Sequence, residues 1–174
     1  MQIIHEINLD KNTEKLITEL RNNCFPDFTI DRSYYKQLPH IRCLQFDEAE
    51  LIGYMGLDFR VISVGETPIK VLGIIDFCVS NASRSNGIGT QMLNELTEYA
   101  KSKNVDFIIL MADDARIYLD NGFQHVPNVP ASWLRIHEHK NLGIAFEYLD
   151  ELYIKPVSQR QWQQGHVDWL GYMF

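Results

Sequence analysis

The chain has 174 residues, 45% of them hydrophobic, with a net charge of -7 and a mean hydropathy of -0.21. That size predicts one globular domain over residues 1–174, able to bury its own core. The acidic balance excludes nucleic acid as the main partner, because neutralising phosphates takes a basic face, and no apolar run approaches the ~18 residues that cross a bilayer.

The segment Met1 to Asn12 has neither a basic lead nor a long apolar run, which predicts no secretory signal, no membrane partner and a cytoplasmic location. Cys24, Cys43 and Cys78 are odd in number and lack Cys-x-x-Cys spacing, which predicts reduced structural thiols. Gln2–Asn8 alternates and predicts an edge strand. Asp10 or Asn12 caps a helix with Leu16, Ile17, Leu20 and Cys24 as its buried stripe, ended at Phe25-Pro26. Ile30–Leu38 predicts a short second helix capped by Asp31. His40–Phe46 and Leu51–Val64 predict strands, with Gly53 and Gly56 as bends.

Further along, Ile88, Met92, Leu93, Leu96, Tyr99 and Ala100 keep helical spacing, and Val105–Met111 predicts a buried strand. A strand–helix–strand crossover of this length makes a parallel pair. Ala115–Asn121 predicts a short helix closed by Gly122. Phe123–Val126 opens a strand, and Pro127 to His139 predicts a loop. Ile144–Pro156 predicts one long strand, and residues 157–174 an aromatic C-terminal arm.

The most informative stretch is Val71–Gly89. Val71 to Val79 is a nearly unbroken apolar run, as in a strand buried on both faces. A polar turn, Ser80 to Ser83, leads to Arg84-Ser85-Asn86-Gly87-Ile88-Gly89, which opens into the helix at Thr90. A glycine-bearing turn at a helix N-terminus offers unpaired N–H groups and the positive dipole end to an anion, and Arg84 adds a charge. A dinucleotide fingerprint would need a third glycine where Met92 stands, and a P-loop would need Lys after Gly89. An ordinary tight turn feeding a helix uses the same residues.

The spacing Arg84-x-x-Gly87-x-Gly89 after a buried strand resembles motif A of the GCN5-related N-acetyltransferase (GNAT) family. Ala115-x-x-Tyr118-x-x-x-Gly122-Phe123 resembles its motif B, in the expected order. The resemblance, covering roughly residues 1–155, implies an α/β (α+β) fold. Its sheet would be mixed and mostly antiparallel, with a splayed parallel pair and helices on both faces. It implies acetyl-CoA as cosubstrate and direct transfer to an amine without an acyl-enzyme; His137-Glu138-His139, at i,i+2 spacing with no third ligand, predicts no metal. Backbone groups of Phe77, Cys78 and Val79 would bond the pantetheine. Arg84, Ser85, Asn86, Gly87, Ile88, Gly89 and Thr90 would hold the pyrophosphate, and Tyr118 would protonate the leaving thiolate. Asp76, the charged residue of the central strand, is either the general base or a structural carboxylate.

Phe25, Phe28-Thr29-x-Asp31 and the closing Asp168-Trp169-x-Gly171 resemble the aminoglycoside 2′-N-acetyltransferase branch. That likeness implies an aminosugar acceptor met by Asp168, Trp169 and Phe174 with its carboxylate. A hydrophobic arm docking on the sheet or on a second subunit, giving a homodimer, uses the same residues. A polyamine, an amino acid or a protein N-terminus remains open as acceptor. The contrasting reading is a non-catalytic acyl-CoA-binding module of the same fold.

Overall fold

The computed structural model describes all residues, Met1–Phe174. The chain divides into two compact units, Met1–Asp58 with Ile74–Glu95, and Phe59–Gly73 with Leu96–Phe174. Three elements run through both: strand β3 (Glu50–Val64), strand β4 (Thr67–Val79) and helix α2 (Ile88–Lys101).

In the first unit, β1 (Gln2–His5) and β2 (Ile41–Asp47) extend antiparallel from β3. Helix α1 (Lys11–Cys24) begins where Asp10 Oδ1 accepts from the backbone N–H of Asn12 and Thr13 at 2.9 and 3.0 Å. Its stripe, Ile17 and Leu20, packs with Leu44, Leu51, Tyr54 and Cys78. On the neighbouring residue of β3, a side chain at Gly53 would lie 2.6 Å from Met92 Sδ of α2. Adjacent strand residues face opposite ways, so α1 covers one face of the sheet and α2 the other.

In the second unit the strand order is β6-β9-β5-β4-β3-β10-β7-β8. Here β5 is Phe107–Met111, β6 Gln124–His125, β7 Val129–His137, β8 Lys140–Leu149, β9 Leu152–Pro156 and β10 Val167–Tyr172, with the short helix α3 at Arg116–Asp120. Val71, Phe107, Ile109, Ile154 and Trp169 lie in its core. The expected parallel pair is present: β4 and β5 match Val71↔Phe107, Leu72↔Ile108 and Gly73↔Ile109. The matched register ends there, although β4 continues to Val79 and β5 to Met111. The mixed, mostly antiparallel α/β class stands.

Four expectations are corrected. Ile30–Leu38 is not a helix. Asn22 donates to Ile30 O at 2.7 Å and accepts from Ile30 N–H, and Arg32 donates to the Tyr34 and Tyr35 carbonyls at 3.2 Å, so side chains satisfy that backbone instead. Residues 127–139 are not a loop. Strand β7 pairs with β8 around Glu138-His139, whose φ angles of 46° and 60° give a left-handed hairpin turn without glycine. The long strand at 144–156 is two strands parted at Asp150-Glu151, paired at distant places in the order. The C-terminal arm is no arm: β10 lies between β3 and β7, antiparallel to the first and parallel to the second.

Candidate active site

In the first unit, the continuous strand β4 has one residue in an unusual backbone conformation, where its charge sits. Asp76 has φ 52°, the left-handed region that costs a residue with a Cβ about 1 kcal/mol or more. This conformation is held from α1. Arg21 donates from Nε to Asp76 Oδ2 at 2.6 Å and from Nη2 to Oδ1 at 3.3 Å. Arg21 is 2% exposed and Asp76 17%, so the ion pair is almost dry and both carboxylate oxygens are engaged. Lys36 is half-buried nearby. Burial lowers its pKa, and the charge of Asp76 partly opposes that. The sequence carried a signal for Arg21: a charge standing on the apolar stripe of α1 needs a buried partner.

Beyond Asp76 come half-buried Phe77, buried Cys78 and half-buried Val79. The carbonyl of Val79 accepts from Arg84 Nε at 3.2 Å and lies 3.5 Å from Cys24 Sγ. Arg84 therefore braces the strand end. A 3-10 turn at Asn81–Ser83 follows, then Ser85 and Gly87 in left-handed conformations at φ 63° and 78°. The first intrahelical bond of α2 is Gln91 N–H to Gly87 O at 2.9 Å. A side chain at Gly87 would meet nothing within 4 Å. The backbone of this turn thus faces open space at the N-terminal end of a 14-residue helix, the geometry that admits an anion.

Cys24 and Cys78 act on each other's titration, a pairing that sequence spacing did not indicate. The Cys78 thiol stabilises a thiolate on Cys24, with Arg84 adding charge, and lowers Cys24 to about 7. Cys78 moves the other way, held protonated by Cys24 and by burial, and burial pushes Cys43 up to about 12. Since only thiolates alkylate readily, iodoacetamide should label Cys24 first. Its rate should be low below pH 7, half-maximal near pH 7 and flat above, with Cys43 unlabelled throughout. Mass spectrometry against pH reads this, and equal labelling of Cys24 and Cys43 would refute it.

Beside this region lies a groove of about 500 Å³, lined by Glu19, Asn23, Glu50, Ser80 and Asn81 among others. It presents two carboxylates.

In the second unit, α3 ends at Gly122, φ 80°, and the Phe123 N–H returns to Tyr118 O at 3.0 Å. Tyr118 is half-buried. Its ring stands edge-on to Phe123 at 5.6 Å and stacks toward Tyr153 at 6.3 Å, which stacks on His125 at 5.0 Å. This column fixes the ring's direction.

The three tail residues do not share one surface. Asp168 and Trp169 are consecutive in β10 and project to opposite faces. Asp168 aligns with Ser132, and its Oδ1 accepts the Leu170 N–H at 2.9 Å. Trp169 is fully buried, its Nε1 without a hydrogen-bond partner, and meets Phe174 edge to face at 5.0 Å. Phe174 lies against Gly73, where a Cβ would come within 2.2 Å of its ring. Gly73 is the last β4 residue matched with β5. Arg60 stacks on both Tyr172 and Phe174, at 4.2 and 4.5 Å. Phe174, Gly73 and Arg60 form a contact that spacing gave no hint of. No three His, Cys, Asp or Glu side chains are grouped to hold a metal ion, and no helix is long and apolar enough to cross a membrane.

Residues 7–126 match the family model described as an acetyltransferase (GNAT) domain. No curated protein matches the chain. Among solved structures, an aminoglycoside 6′-N-acetyltransferase complexed with coenzyme A aligns over 92% of this chain and 99% of its own, at 17% identity and TM-score 0.62. YhbS, a GNAT-family N-acetyltransferase from Escherichia coli in complex with CoA, aligns over 96% and 88%, at 14% identity and TM-score 0.61. A GCN5-related N-acetyltransferase from Anabaena variabilis aligns over 72% of this chain at 10% identity and TM-score 0.58. The chain spans 33% of that protein's length. At these identities the structural likeness speaks to the fold, and it agrees with the sequence match, which covers more than half of the chain: the protein belongs to the GNAT acetyltransferase family.

Proposed function

We propose that the chain moves an acetyl group from acetyl-CoA directly to the primary amine of a small cationic acceptor. The observation that carries this is the left-handed turn Ser85–Gly87, open to solvent at the head of α2 and following the positive φ of Asp76 in β4. The turn Arg84–Thr90 would hold the pyrophosphate, and the main chain of Phe77, Cys78 and Val79 would bond the pantetheine. The amine nitrogen attacks the thioester carbonyl, the C–N bond forms, and the C–S bond breaks. Tyr118 Oη gives a proton to the sulfur as it leaves. The amine's own proton must leave too. With both oxygens of Asp76 held by Arg21, we favour the structural role for Asp76 over the base, and deprotonation through solvent. Glu19 and Glu50 beside the turn, with the net charge of -7, support a cationic acceptor. Aminosugars are the first class to test, with Phe174 as an apolar wall that the fully buried Trp169 supports from beneath. Asp168, on the other face of β10, is the weaker candidate contact.

Calorimetric titration with acetyl-CoA, followed by thiol release across aminoglycosides, polyamines and amino acids, tests the reading. Binding with turnover supports it. Binding without turnover on any amine would leave the acyl-CoA-binding module, and absence of binding would reduce the glycine turn to a turn. Arg84→Glu should weaken acetyl-CoA binding by setting a like charge against the pyrophosphate and releasing the brace on Val79. Tyr118→Phe should lower kcat about tenfold, ~1.4 kcal/mol of barrier, with acetyl-CoA affinity unchanged. Full activity in Tyr118→Phe would remove it as the acid.

A further inference from the structure

Strand β8 closes the strand order of the second unit, paired with β7 on one side. An outermost strand of an antiparallel sheet ordinarily alternates, apolar toward the core and polar toward water. On the inward face of β8, Ala145 and Leu149 are buried and Glu147 between them is exposed. The outward residues are not polar. Leu142, Ile144, Phe146 and Tyr148 share the other face by the two-residue period, and they are 51%, 62%, 74% and 68% exposed. Half-buried Pro130 and Leu134 of β7 stand opposite Tyr148 and Ile144 on the same face. A strand that carries four large apolar side chains on its solvent face is built to be covered there.

The four exposed side chains offer ~500 Å² of apolar surface, at the upper end of what a monomer leaves open. A stable interface takes about 800 Å² from each partner, so the stripe alone supplies more than half of one side. Charge indicates what lies on top. The hairpin tip carries Arg135, His137, His139 and Lys140 against one acid, Glu138, while the opposite end carries Asp150 and Glu151. A second hairpin of the same kind, laid face to face and antiparallel, sets each basic tip over the other copy's acidic end.

We propose that the β7–β8 face is a homodimer interface, with two copies packed about a twofold axis so that their β8 strands run antiparallel and the Leu142–Tyr148 stripes interleave. Such an interface is isologous, the patch meeting itself, and sheets stack in this way about 10 Å apart. An anionic lipid surface suits the patch poorly, because a membrane-facing stripe is normally rimmed by basic residues and one end of this one is acidic.

Sedimentation equilibrium at roughly 100 μM, where even a weak dimer is populated, reads the outcome. The wild-type chain should weigh twice 20.3 kDa. Phe146→Glu should dissociate it at least tenfold more readily, and Ile144→Thr, which keeps a strand-favouring branched residue, should weaken it without unfolding. Circular dichroism and Tm confirm that both variants fold. A monomeric wild type overturns the proposal, as does a dimer indifferent to both substitutions. So does a monomer that binds phospholipid vesicles, which would give the face to lipid instead.

Discussion

Asp76→Ala should cost about 3–5 kcal/mol of stability, lowering Tm by roughly 10 °C. The cost lies with the partner left behind. Arg21 is 2% exposed and gives two hydrogen bonds to this carboxylate, and its Nη1 already lacks a partner. Removing Asp76 leaves a guanidinium in a nearly dry place, where an unpaired charge costs far more than its pairing contributed. Backbone strain adds to this, since alanine tolerates φ 52° less well than aspartate. Asp76→Gly separates the two effects: it loses the same carboxylate but relieves the strain, so it should be about 1 kcal/mol less damaging. Arg21→Met should be milder than Asp76→Ala, because Asp76 at 17% exposure can recruit water. Combined with Asp76→Asn, it should recover part of the loss. Chemical denaturation of these four variants and of Asp76→Asn alone checks this. Additive losses in Arg21→Met with Asp76→Asn would mean that the pair contributes nothing as a pair.

What was legible in the chain was local. The apolar run Val71–Val79, the polar turn and the 3.6-residue period after Ile88 each lie within a few residues of their cause, and β4, the turn and α2 stand where expected. The Tyr118 helix and its Gly122 stop were legible for the same reason. The partners of the site were not, because they come from afar: Arg21 and Asp76 are 55 positions apart. Whether Asp76 is base or brace is decided by that partner, which no spacing reveals. Hairpin β7–β8 escaped because its turn adopts positive φ at Glu138 and His139, residues that do not announce such a turn, while Pro130 reads as a breaker. Proline is tolerated there because the matched parallel register with β10 begins only at Ala131. Strand β10 escaped because inserting between two strands is a tertiary event. Its consequence, Asp168 and Trp169 on opposite faces, undoes a pocket drawn from adjacency in the sequence.

Gly73→Ala is expected to cost about 2 kcal/mol and to do so by expelling Phe174. A β-carbon there would fall 2.2 Å from two atoms of the ring, which no side chain accommodates. The obstacle is a ring rather than backbone, so the ring leaves, and the cost is whatever it did in place. Its edge-to-face contact with Trp169 at 5.0 Å and its cation–π contact with Arg60 at 4.5 Å together amount to roughly 2 kcal/mol. Phe174→Ala should therefore cost about the same, and the double variant no more than either single one. Tryptophan emission should shift to the red in all three, since Trp169 is fully buried beneath the ring. Losses that add in the double variant would mean that Gly73 and Phe174 act separately. The same pair bears on the proposed reaction, because Gly73 is where the matched register of β4 and β5 ends. If Phe174 forms part of the acceptor's apolar wall, Gly73→Ala should raise KM for the amine several-fold with acetyl-CoA affinity unchanged. An unaltered KM, with stability lost, would make the ring a plug in the core and move the acceptor site away from the C-terminal residues.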